Sequence, residues 1–294
     1  MQVVKSEFQG FCSGVERAMS IARKARDESA VNCGRVFLSG LICHNRRENE
    51  NLGLRVICDD DFDKAVESEL TLVIGAHGAS KALLDRIAEF PQAKIVSAIC
   101  PVVEMNLREI DRLATETGHE RILVYLGSRG HTEAESARSR LRENDFFVST
   151  AKEAAGIAER QELRGKEVEF MVQTSFSQEI FDASVKSFGA NGARCVMFNG
   201  ICSDCIRRRK DVEKLAKECE VVIVVGDDIS RNASELTEIA SKSGAEALLV
   251  ADASQLRELA SEGKFNACNR AGVISSASSS AGVFDEVCEC LEGL

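Results

Sequence analysis

The stretch KIVSAICPVVEMNLREIDRL at residues 94–113 contains the pattern that decides the fold. Its first part is a short apolar run rich in β-branched residues, which predicts a strand. After Cys100 and Pro101, apolar residues recur every three or four positions, which predicts an amphipathic helix that begins at the proline. The stretch is therefore a strand–loop–helix unit with a thiol at the junction.

Two other stretches have the same form, EFQGFCSGVERAMSIARK at 7–24 and CVMFNGICSDCIRRRKDVEKLAK at 195–217. Their junction thiols are Cys12 and Cys202, which lie 88 and 102 residues from Cys100. Each separation is the size of a small α/β unit. We expect three lobes in a pseudo-threefold arrangement, at residues 1–95, 96–190 and 191–294, each presenting one thiol.

Six further apolar runs end in Gly, Ser, His or Thr and lead into amphipathic stretches. They lie at 35–40, 71–78, 121–130, 168–175, 221–228 and 271–278. Strands that alternate with helices predict an α/β fold with mainly parallel sheets. Ligands bind at the carboxyl ends of such strands, so these six polar loops are candidates to line one pocket.

Composition excludes several classes of protein. The net charge of -10 disfavours a nucleic-acid partner, because the chain would repel a polyanion. No apolar run approaches the roughly 20 residues of a membrane helix, and the first residues lack a secretory signal, so we expect a cytoplasmic protein. Twelve cysteines in a 294-residue α/β chain indicate reduced thiols or metal ligands rather than a disulfide scaffold.

The three junction thiols suit a metal cluster. A thiolate at a helix N-terminus is stabilised by free backbone N–H groups, and Cys-Pro at 100–101 is similar to the end of many iron–sulfur ligand motifs. Cys205, in the CxxC at 202–205, is a lesser candidate near the cluster. The remaining cysteines are expected to be small buried hydrophobic residues: Cys33, Cys43, Cys58, Cys195, Cys219, Cys268, Cys288 and Cys290.

Three of the four histidines, His44, His77 and His131, lie in loops predicted to follow strands, whereas His119 is expected to be structural. His131 and Glu133 place an imidazole and a carboxylate on one loop. They could form a proton relay if the carboxylate is desolvated. The alternative is that Glu133 is an ordinary carboxylate in the first turn of a helix.

The loops at 173–178, 230–234 and 275–280 offer hydroxyl groups and backbone N–H groups before helices, which suits a phosphate or diphosphate. Ordinary helix capping by Ser or Thr explains any one of them equally well. Arg231 and the triplet at 207–209 could add positive charge. A solvated helix face is the default interpretation of the triplet.

Taken in order, these motifs resemble the IspH/LytB family of 4-hydroxy-3-methylbut-2-enyl diphosphate reductases over nearly the full length. The motifs are GFCSGVERA at 10–18, CHN at 43–45, AHGAS at 76–80, CP at 100–101, GHTE at 130–133, QTS at 173–175, the Cys202 loop, SRN at 230–232 and SSASS at 275–279. The order of the motifs is more specific than any single one.

The resemblance implies three α/β lobes around one 4Fe–4S cluster with one iron not ligated by protein. Cys12, Cys100 and Cys202 would be its ligands. The residues implied to bind the diphosphate are His44, His77, Ser230, Asn232 and Ser278, with Arg231 where the family has a serine. His131, Glu133 and Thr174 match the residues that position and protonate the allylic alcohol.

The expected reaction is reductive dehydroxylation of this diphosphate to isopentenyl and dimethylallyl diphosphate. A ferredoxin or flavodoxin is the expected electron donor, because the chain has no convincing G-x-G-x-x-G fingerprint for a nucleotide. Departures from the family at 97–99, 132–136, 205–207, 231 and 275–280 motivate one alternative, a paralogous 4Fe–4S reductase with another hydroxylated or phosphorylated substrate. A second alternative is a non-enzymatic iron–sulfur redox sensor.

Overall fold

A computed structural model describes residues 1–32, 35–57, 69–115, 121–266 and 268–294. Strands and helices alternate along these ranges, and the strand pairs are parallel, which confirms the predicted α/β class. His119, Cys33 and Cys58 lie outside the described residues.

All six predicted apolar runs contain strands, and Cys100 and Cys202 lie between a strand and a helix as predicted. Cys12 also precedes a helix, but the strand before it ends at Lys5, outside the stretch at 7–24. The strands are β1 (Gln2–Lys5), β2 (Val36–Leu38), β3 (Arg55–Val56), β4 (Leu70–Ile74), β5 (Ala93–Ser97), β6 (Ile122–Leu126), β7 (Phe146–Val148), β8 (Glu167–Val172), β9 (Arg194–Met197), β10 (Val221–Val225), β11 (Glu246–Val250) and β12 (Arg270–Ser275). The α-helices are α1 (Ser13–Asn32), α2 (Arg46–Leu52), α3 (Lys81–Ala88), α4 (Pro101–Thr115), α5 (Thr132–Arg138), α6 (Ala151–Ala158), α7 (Gln178–Ala190), α8 (Ser203–Glu218), α9 (Arg231–Lys242), α10 (Ala253–Ser261) and α11 (Ala281–Glu292).

The chain forms three lobes, each built on a parallel sheet, within two compact units. The first unit comprises Met1–Asp27, Leu41–Val56 and Ser203–Leu294, and its sheet has the order β1-β12-β10-β11. The second unit comprises Glu28–Gly40 and Ile57–Cys202. It contains two sheets, one in which β4 lies between β2 and β5, and one with the order β7-β6-β8-β9.

Each sheet places its thiol in the same way. The outermost strand β1, β5 or β9 leads to the cysteine, and the neighbouring strand is β12, β4 or β8. The backbone N–H of the cysteine donates a hydrogen bond to a carbonyl oxygen two residues beyond the end of that neighbour. The pairs are Cys12 to Ala277 at 3.0 Å, Cys100 to Ala76 at 3.0 Å, and Cys202 to Thr174 at 2.9 Å. These bonds give the three lobes equivalent junctions.

Strand β1 pairs in parallel with β12, from the opposite end of the chain. It occupies the position that β5 and β9 hold in the other sheets, so the first strand of the chain completes the sheet formed by β10, β11 and β12. A division of the chain into three consecutive segments would place β1 and its partner β12 in different lobes. The lobe boundaries after residues 95 and 190 stay a prediction.

Strand β10 shows how a sheet is enclosed between two helical layers. Val222 and Val224 pack with Leu215 of α8 on one face, and Ile223 packs with Phe284 of α11 on the other. All five residues are buried. A strand covered on both faces has to be continuously apolar, which is why VVIVV at 221–225 lacks the alternation of a half-exposed strand.

Two glycines allow helices to begin close to strand ends. A Cβ atom at Gly226, after β10, would lie 2.6 Å from the Cβ of Ala233 and 2.9 Å from the Oγ of Ser276. A Cβ atom at Gly127, after β6, would lie 2.8 Å from the Cβ of Ala134. These distances are too short for any other side chain, so glycine is required at both positions for α9 and α5 to begin against the sheet.

We expect Gly226→Ala to lower the free energy of unfolding by about 1–3 kcal/mol, because the added methyl group overpacks this junction. Gly156→Ala is the matched control. It lies at an exposed position of α6 with open space around the glycine, so the substitution should stabilise the protein by about 0.5–1 kcal/mol. Denaturant unfolding of both variants measures the two effects. Equal stability of the two variants would refute the close approach at Gly226.

Candidate active site

The three junction thiols lie at helix N-termini. The carbonyl oxygens of Cys12 and Cys100 accept hydrogen bonds of 2.9 Å from the N–H groups of Glu16 and Glu104, so each cysteine begins its helix. The N–H of Val15 also points at the Sγ of Cys12, at 3.5 Å. Backbone N–H groups at these positions stabilise a thiolate, and this is the environment that a negatively charged metal ligand requires.

Cys100 and Cys202 influence each other electrostatically. Burial is the main reason that the pKa of Cys100 is raised, and the charge of Cys202 adds to the increase. The N–H groups of Val102 and Val103 act in the opposite direction. Half-buried thiols that repel each other as thiolates need a nearby cation to ionise together, and a metal cluster supplies one.

Glu133 is a buried carboxylate that accepts hydrogen bonds from the backbone and the side chain of Thr174. Its side chain is on the first turn of α5, and the residue is 2% exposed. Oε1 accepts the N–H of Thr174 at 2.8 Å, and Oε2 accepts the Thr174 hydroxyl at 2.7 Å. Burial raises the pKa of Glu133 to about 7, although the Thr174 hydrogen bonds lower it. Proximity to Cys202 raises it slightly further. A carboxyl group with this pKa can hold and release a proton at neutral pH.

His131 caps the same helix. Its Nδ1 accepts the N–H of Glu133 at 3.2 Å, so the neutral ring carries its proton on Nε2. The ring of His77 meets the ring of His131 edge to face, with centroids 5.4 Å apart. The second unit therefore brings an imidazole N–H, a protonatable carboxyl group and the two thiols of Cys100 and Cys202 into one set of loops.

The first unit collects hydroxyl groups at the start of α9. The Oγ of Ser230 caps this helix by accepting the N–H of Ala233 at 3.3 Å, and it lies 3.2 Å from the Oγ of Ser278. The Ser278 hydroxyl also lies 3.1 Å from the carbonyl oxygen of His44. Burial lowers the pKa of His44, so its ring is neutral at pH 7 and presents one N–H donor.

Asn232 contributes a donor to the same region. Its Oδ1 accepts the N–H of Ala277 at 2.9 Å, which ties α9 to the loop after β12. Its Nδ2 is buried and has no hydrogen-bond partner within the described part of the chain. A buried N–H group without a partner is costly, and an anionic oxygen at this position would satisfy it.

Comparison with known proteins identifies the family, because the family model described as LytB protein matches residues 3–292 of this chain. The chain belongs to the LytB family. This confirms the resemblance inferred from the order of the motifs.

Relatives of this LytB protein carry the name 4-hydroxy-3-methylbut-2-enyl diphosphate reductase. One from Ectopseudomonas mendocina is 30% identical over 87% of this chain and 81% of that protein. One from Neisseria meningitidis serogroup C is 28% identical over 99% of this chain and 87% of that protein. A third, from Fusobacterium nucleatum, is 29% identical over 87% of this chain, but the match spans only 30% of the Fusobacterium protein.

Solved structures share the fold. The E-1-hydroxy-2-methyl-but-2-enyl-4-diphosphate reductase from Plasmodium falciparum aligns with a TM-score of 0.84 and 19% identity, over 99% of this chain and 87% of that one. A second structure, of an (E)-4-hydroxy-3-methyl-but-2-enyl diphosphate reductase, aligns with a TM-score of 0.68 and 24% identity over the full length of both chains. Among the residues described for this LytB protein, no helix is long and apolar enough to cross a membrane.

The interpretation of residues 207–209 as a solvated helix face is wrong for two of the three arginines. Arg207 is exposed, but Arg208 and Arg209 are buried. Arg208 donates hydrogen bonds to the carbonyl oxygens of Ser275 and Gly10, and so ties the end of β12 to the loop that carries Cys12. The burial of Arg208 has a signal in the sequence, because position 208 lies on the apolar stripe of α8, one turn before Val212.

Gln173 belongs to the QTS motif, but the sequence did not indicate a role of its own for this side chain. Its buried side chain accepts the N–H of Ser128 at 2.8 Å through Oε1 and donates to the Oγ of Ser175 at 3.0 Å through Nε2. It joins the loop before His131 to the loop that contains Thr174. A polar residue directly after a continuously buried strand was the available signal.

Two predicted residues remain to be placed in the structure, Arg231 and Cys205. The Arg231 side chain is partly exposed at the first position of α9, 4.0 Å from Glu238. Cys205 is buried on the first turn of α8. Among the cysteines expected to be buried, Cys43, Cys219 and Cys288 are buried, whereas Cys195, Cys268 and Cys290 are half-buried.

The predicted residues divide between the two units. The first unit holds Cys12, His44, Ser230, Arg231, Asn232 and Ser278, and the second holds His77, Cys100, His131, Glu133, Thr174 and Cys202. The residues predicted to bind the diphosphate lie in the first unit together with Cys12, except His77. The residues predicted to position and protonate the allylic alcohol lie in the second unit, with the other two thiols. Their catalytic and binding roles stay predictions.

Burial of Glu133 predicts a pH-dependent stability. The pKa of its carboxyl group is 4.5 ordinarily and about 7 in the folded protein, so the folded state holds a proton that the unfolded chain has lost. This contribution to stability is fully present below pH 4.5 and is lost as the pH rises through about 7. Glu133→Gln removes the charge and should therefore be more stable than the wild type at pH 8, by on the order of 2–3 kcal/mol, and similar to it at pH 4.5.

Unfolding of the metal-free, reduced protein at both pH values measures this difference. Glu143→Gln is the control, because residue 143 is exposed and its charge is solvated in both states. A Glu133→Gln variant that gains no stability at pH 8 relative to pH 4.5 would show that the carboxyl group is not desolvated.

Proposed function

We propose that this chain is a 4-hydroxy-3-methylbut-2-enyl diphosphate reductase of the methylerythritol phosphate pathway, acting in the cytoplasm. The reaction would replace the allylic C–OH bond by a C–H bond, consuming two electrons and two protons and releasing water. The observation that carries the proposal is the buried Glu133 carboxyl group, bonded to Thr174 on the loop whose carbonyl oxygen anchors Cys202. The names of the relatives support the substrate.

We assign one 4Fe–4S cluster to Cys12, Cys100 and Cys202. The residues fit this group, because each thiol begins a helix and because burial disfavours the Cys100 thiolate unless a cation compensates it. Three ligands on four irons would leave one iron without a protein ligand. When bound, the cluster supplies single electrons and a Lewis-acidic iron for the substrate oxygen.

Glu133 holds the proton that the leaving hydroxyl group needs. Near pH 7 a large fraction of its carboxyl groups is protonated, since burial raises its pKa to about 7. Transfer of this proton to the substrate oxygen produces water as the leaving group, which is far easier to expel than hydroxide. Thr174 fixes the orientation of both carboxyl oxygens, and His131, which caps the same helix, offers its Nε2–H as a second donor.

The diphosphate would be held by polar side chains and a helix N-terminus. Ser230, Asn232 and Ser278 present two hydroxyl groups and an Nδ2 group at the start of α9, where the helix dipole favours an anion. We assign His44, His77 and Arg231 to the same ligand.

The direct test supplies 4-hydroxy-3-methylbut-2-enyl diphosphate to the reduced, anaerobic protein and measures both isoprenoid diphosphates. The proposal predicts that both are formed. A change in the absorption spectrum without product would favour a paralogous reductase with another substrate. If the protein shows no spectral change and forms no product, the result would favour a redox sensor.

In the same assay, Glu133→Gln should retain its iron and its affinity for the diphosphate but lose about 10²–10⁴-fold in kcat, because only the proton donor is removed. Glu135→Gln is the matched control, since this carboxylate on the same helix is partly exposed and pairs with Arg138. If Glu133→Gln turns over as fast as the control, Glu133 is not the proton donor and is only a carboxylate in the first turn of a helix.

A further inference from the structure

The segment that carries His44 joins the first unit through noncovalent contacts. Residues 41–56 belong to this unit, whereas the residues on both sides of them, Glu28–Gly40 and Ile57–Cys202, belong to the second. The chain therefore enters and leaves the segment from another unit. Contacts with the loops after β10 and β12 have to hold His44 in the place where we assign it to the diphosphate.

Asp227, in the loop after β10, makes two of these contacts with one residue. It is 6% exposed. Its Oδ2 accepts the backbone N–H of Arg46 at 2.7 Å, and its Oδ1 accepts the Nη1 group of the same residue at 2.7 Å. Hydrogen bonds with an ionised partner are about twice as strong as neutral ones. Asp227 therefore binds both the backbone and the side chain of Arg46, two residues after His44.

The same residue also holds the other side of the anion-binding region. The carbonyl oxygen of Asp227 accepts the N–H of Ser230 at 3.0 Å, so one residue fixes both Arg46 and the start of α9. A second link runs through Ser278, whose hydroxyl group lies 3.2 Å from the Oγ of Ser230 and 3.1 Å from the carbonyl oxygen of His44. Ser278 is itself assigned to the ligand, whereas Asp227 is not.

The charge of Asp227 is unfavourable at this place. The residue lies three positions before Ser230, and a carboxylate near the start of α9 repels the anion that we assign there. Burial adds a desolvation cost. Arg46 offsets the charge, because its Nη1 group also bonds to the exposed Asp228 at 2.5 Å. What Asp227 adds to the site is therefore its hydrogen bonds, since its charge alone would weaken the binding of an anion.

We propose that Asp227 is a positioning residue for the diphosphate: through Arg46 it holds His44 at the distance from Ser230 that the ligand requires. The inference rests on the proposed function, which supplies the ligand. Asp227 makes no contact with the substrate in this account, and it takes no part in the proton transfer assigned to Glu133. Its loss should therefore weaken binding and leave the chemical step unchanged.

The test measures the dissociation constant of inorganic diphosphate by calorimetry on the anaerobic, cluster-loaded protein. Asp227→Ala and Asp228→Ala each remove one carboxylate bound to Arg46, so electrostatics alone predicts tighter binding by both variants. Positioning predicts the opposite sign for Asp227→Ala. We expect its dissociation constant to rise about 10- to 100-fold, the range of effect of a displacement of roughly 1 Å.

Asp228→Ala is the matched control. The Asp228 side chain is 74% exposed, against 7% for Asp227, so its pair with Arg46 is solvated. Its removal should leave the dissociation constant within about twofold of the wild type, because exposed ion pairs contribute little.

Asp227→Asn is a second variant that keeps the volume of the side chain and one acceptor oxygen, so it tests the proposal even if Asp227→Ala does not fold. It should weaken binding less than Asp227→Ala and more than Asp228→Ala. In the turnover assay both Asp227 variants should raise KM and keep kcat, because the bonds between Glu133 and Thr174 are intact.

The proposal is overturned if the Asp227 variants bind inorganic diphosphate as tightly as the wild type or more tightly. It is also overturned if Asp228→Ala weakens binding as much as Asp227→Ala, if the Asp227 variants lose only free energy of unfolding, or if the wild type does not bind inorganic diphosphate. A wild type that binds inorganic diphosphate but forms no product would instead contradict the proposed function, and the dissociation constants of the variants would still decide this inference.

Discussion

One backbone hydrogen bond, repeated three times, is the constraint on which the rest of the structure depends. In each lobe the N–H of the junction cysteine donates to a carbonyl oxygen two residues past the end of the neighbouring strand. The bond holds the cysteine beside the neighbouring strand, at the place where the next helix begins. It also directs the start of that helix, with its free N–H groups, to the thiol. At the sheet with the order β7-β6-β8-β9 the acceptor is Thr174, whose side chain and N–H also hold Glu133, so one loop positions a thiol and a protonatable carboxyl group together.

Glu133 shows the conflict between stability and chemistry in this fold. A buried carboxyl group without a cationic partner costs folding free energy once it is ionised, and two hydrogen bonds from Thr174 offset that cost only in part. The same desolvation places the pKa of Glu133 near neutral, where a general acid is most effective. Gln173 and the cap from His131 hold the loops around the carboxyl group.

Patterns that are local in the chain were predictable, and contacts between distant residues were not. Apolar periodicity located all six strand runs, and the position of a cysteine between strand and helix located Cys12, Cys100 and Cys202. The pairing of β1 with β12 could not be read this way, because nothing within either strand specifies its neighbour. Arg208 was misread because its charge suggested solvent, whereas carbonyl oxygens at Gly10 and Ser275, far away in sequence, satisfy it in the interior. The sequence alone does not show whether Glu133 is desolvated, because its burial depends on contacts that only the fold supplies.

The central claim is that the three equivalent junction thiols hold one metal cluster. The most direct measurement is the iron and sulfide content of anaerobically purified protein in which Cys12, Cys100 or Cys202 is changed singly to Ser. The control is Cys195→Ser, which alters a half-buried thiol away from the junctions. The account predicts about four irons per chain in the wild type and the control, and loss of most of the iron in each junction variant. Full iron content in all three junction variants would contradict it.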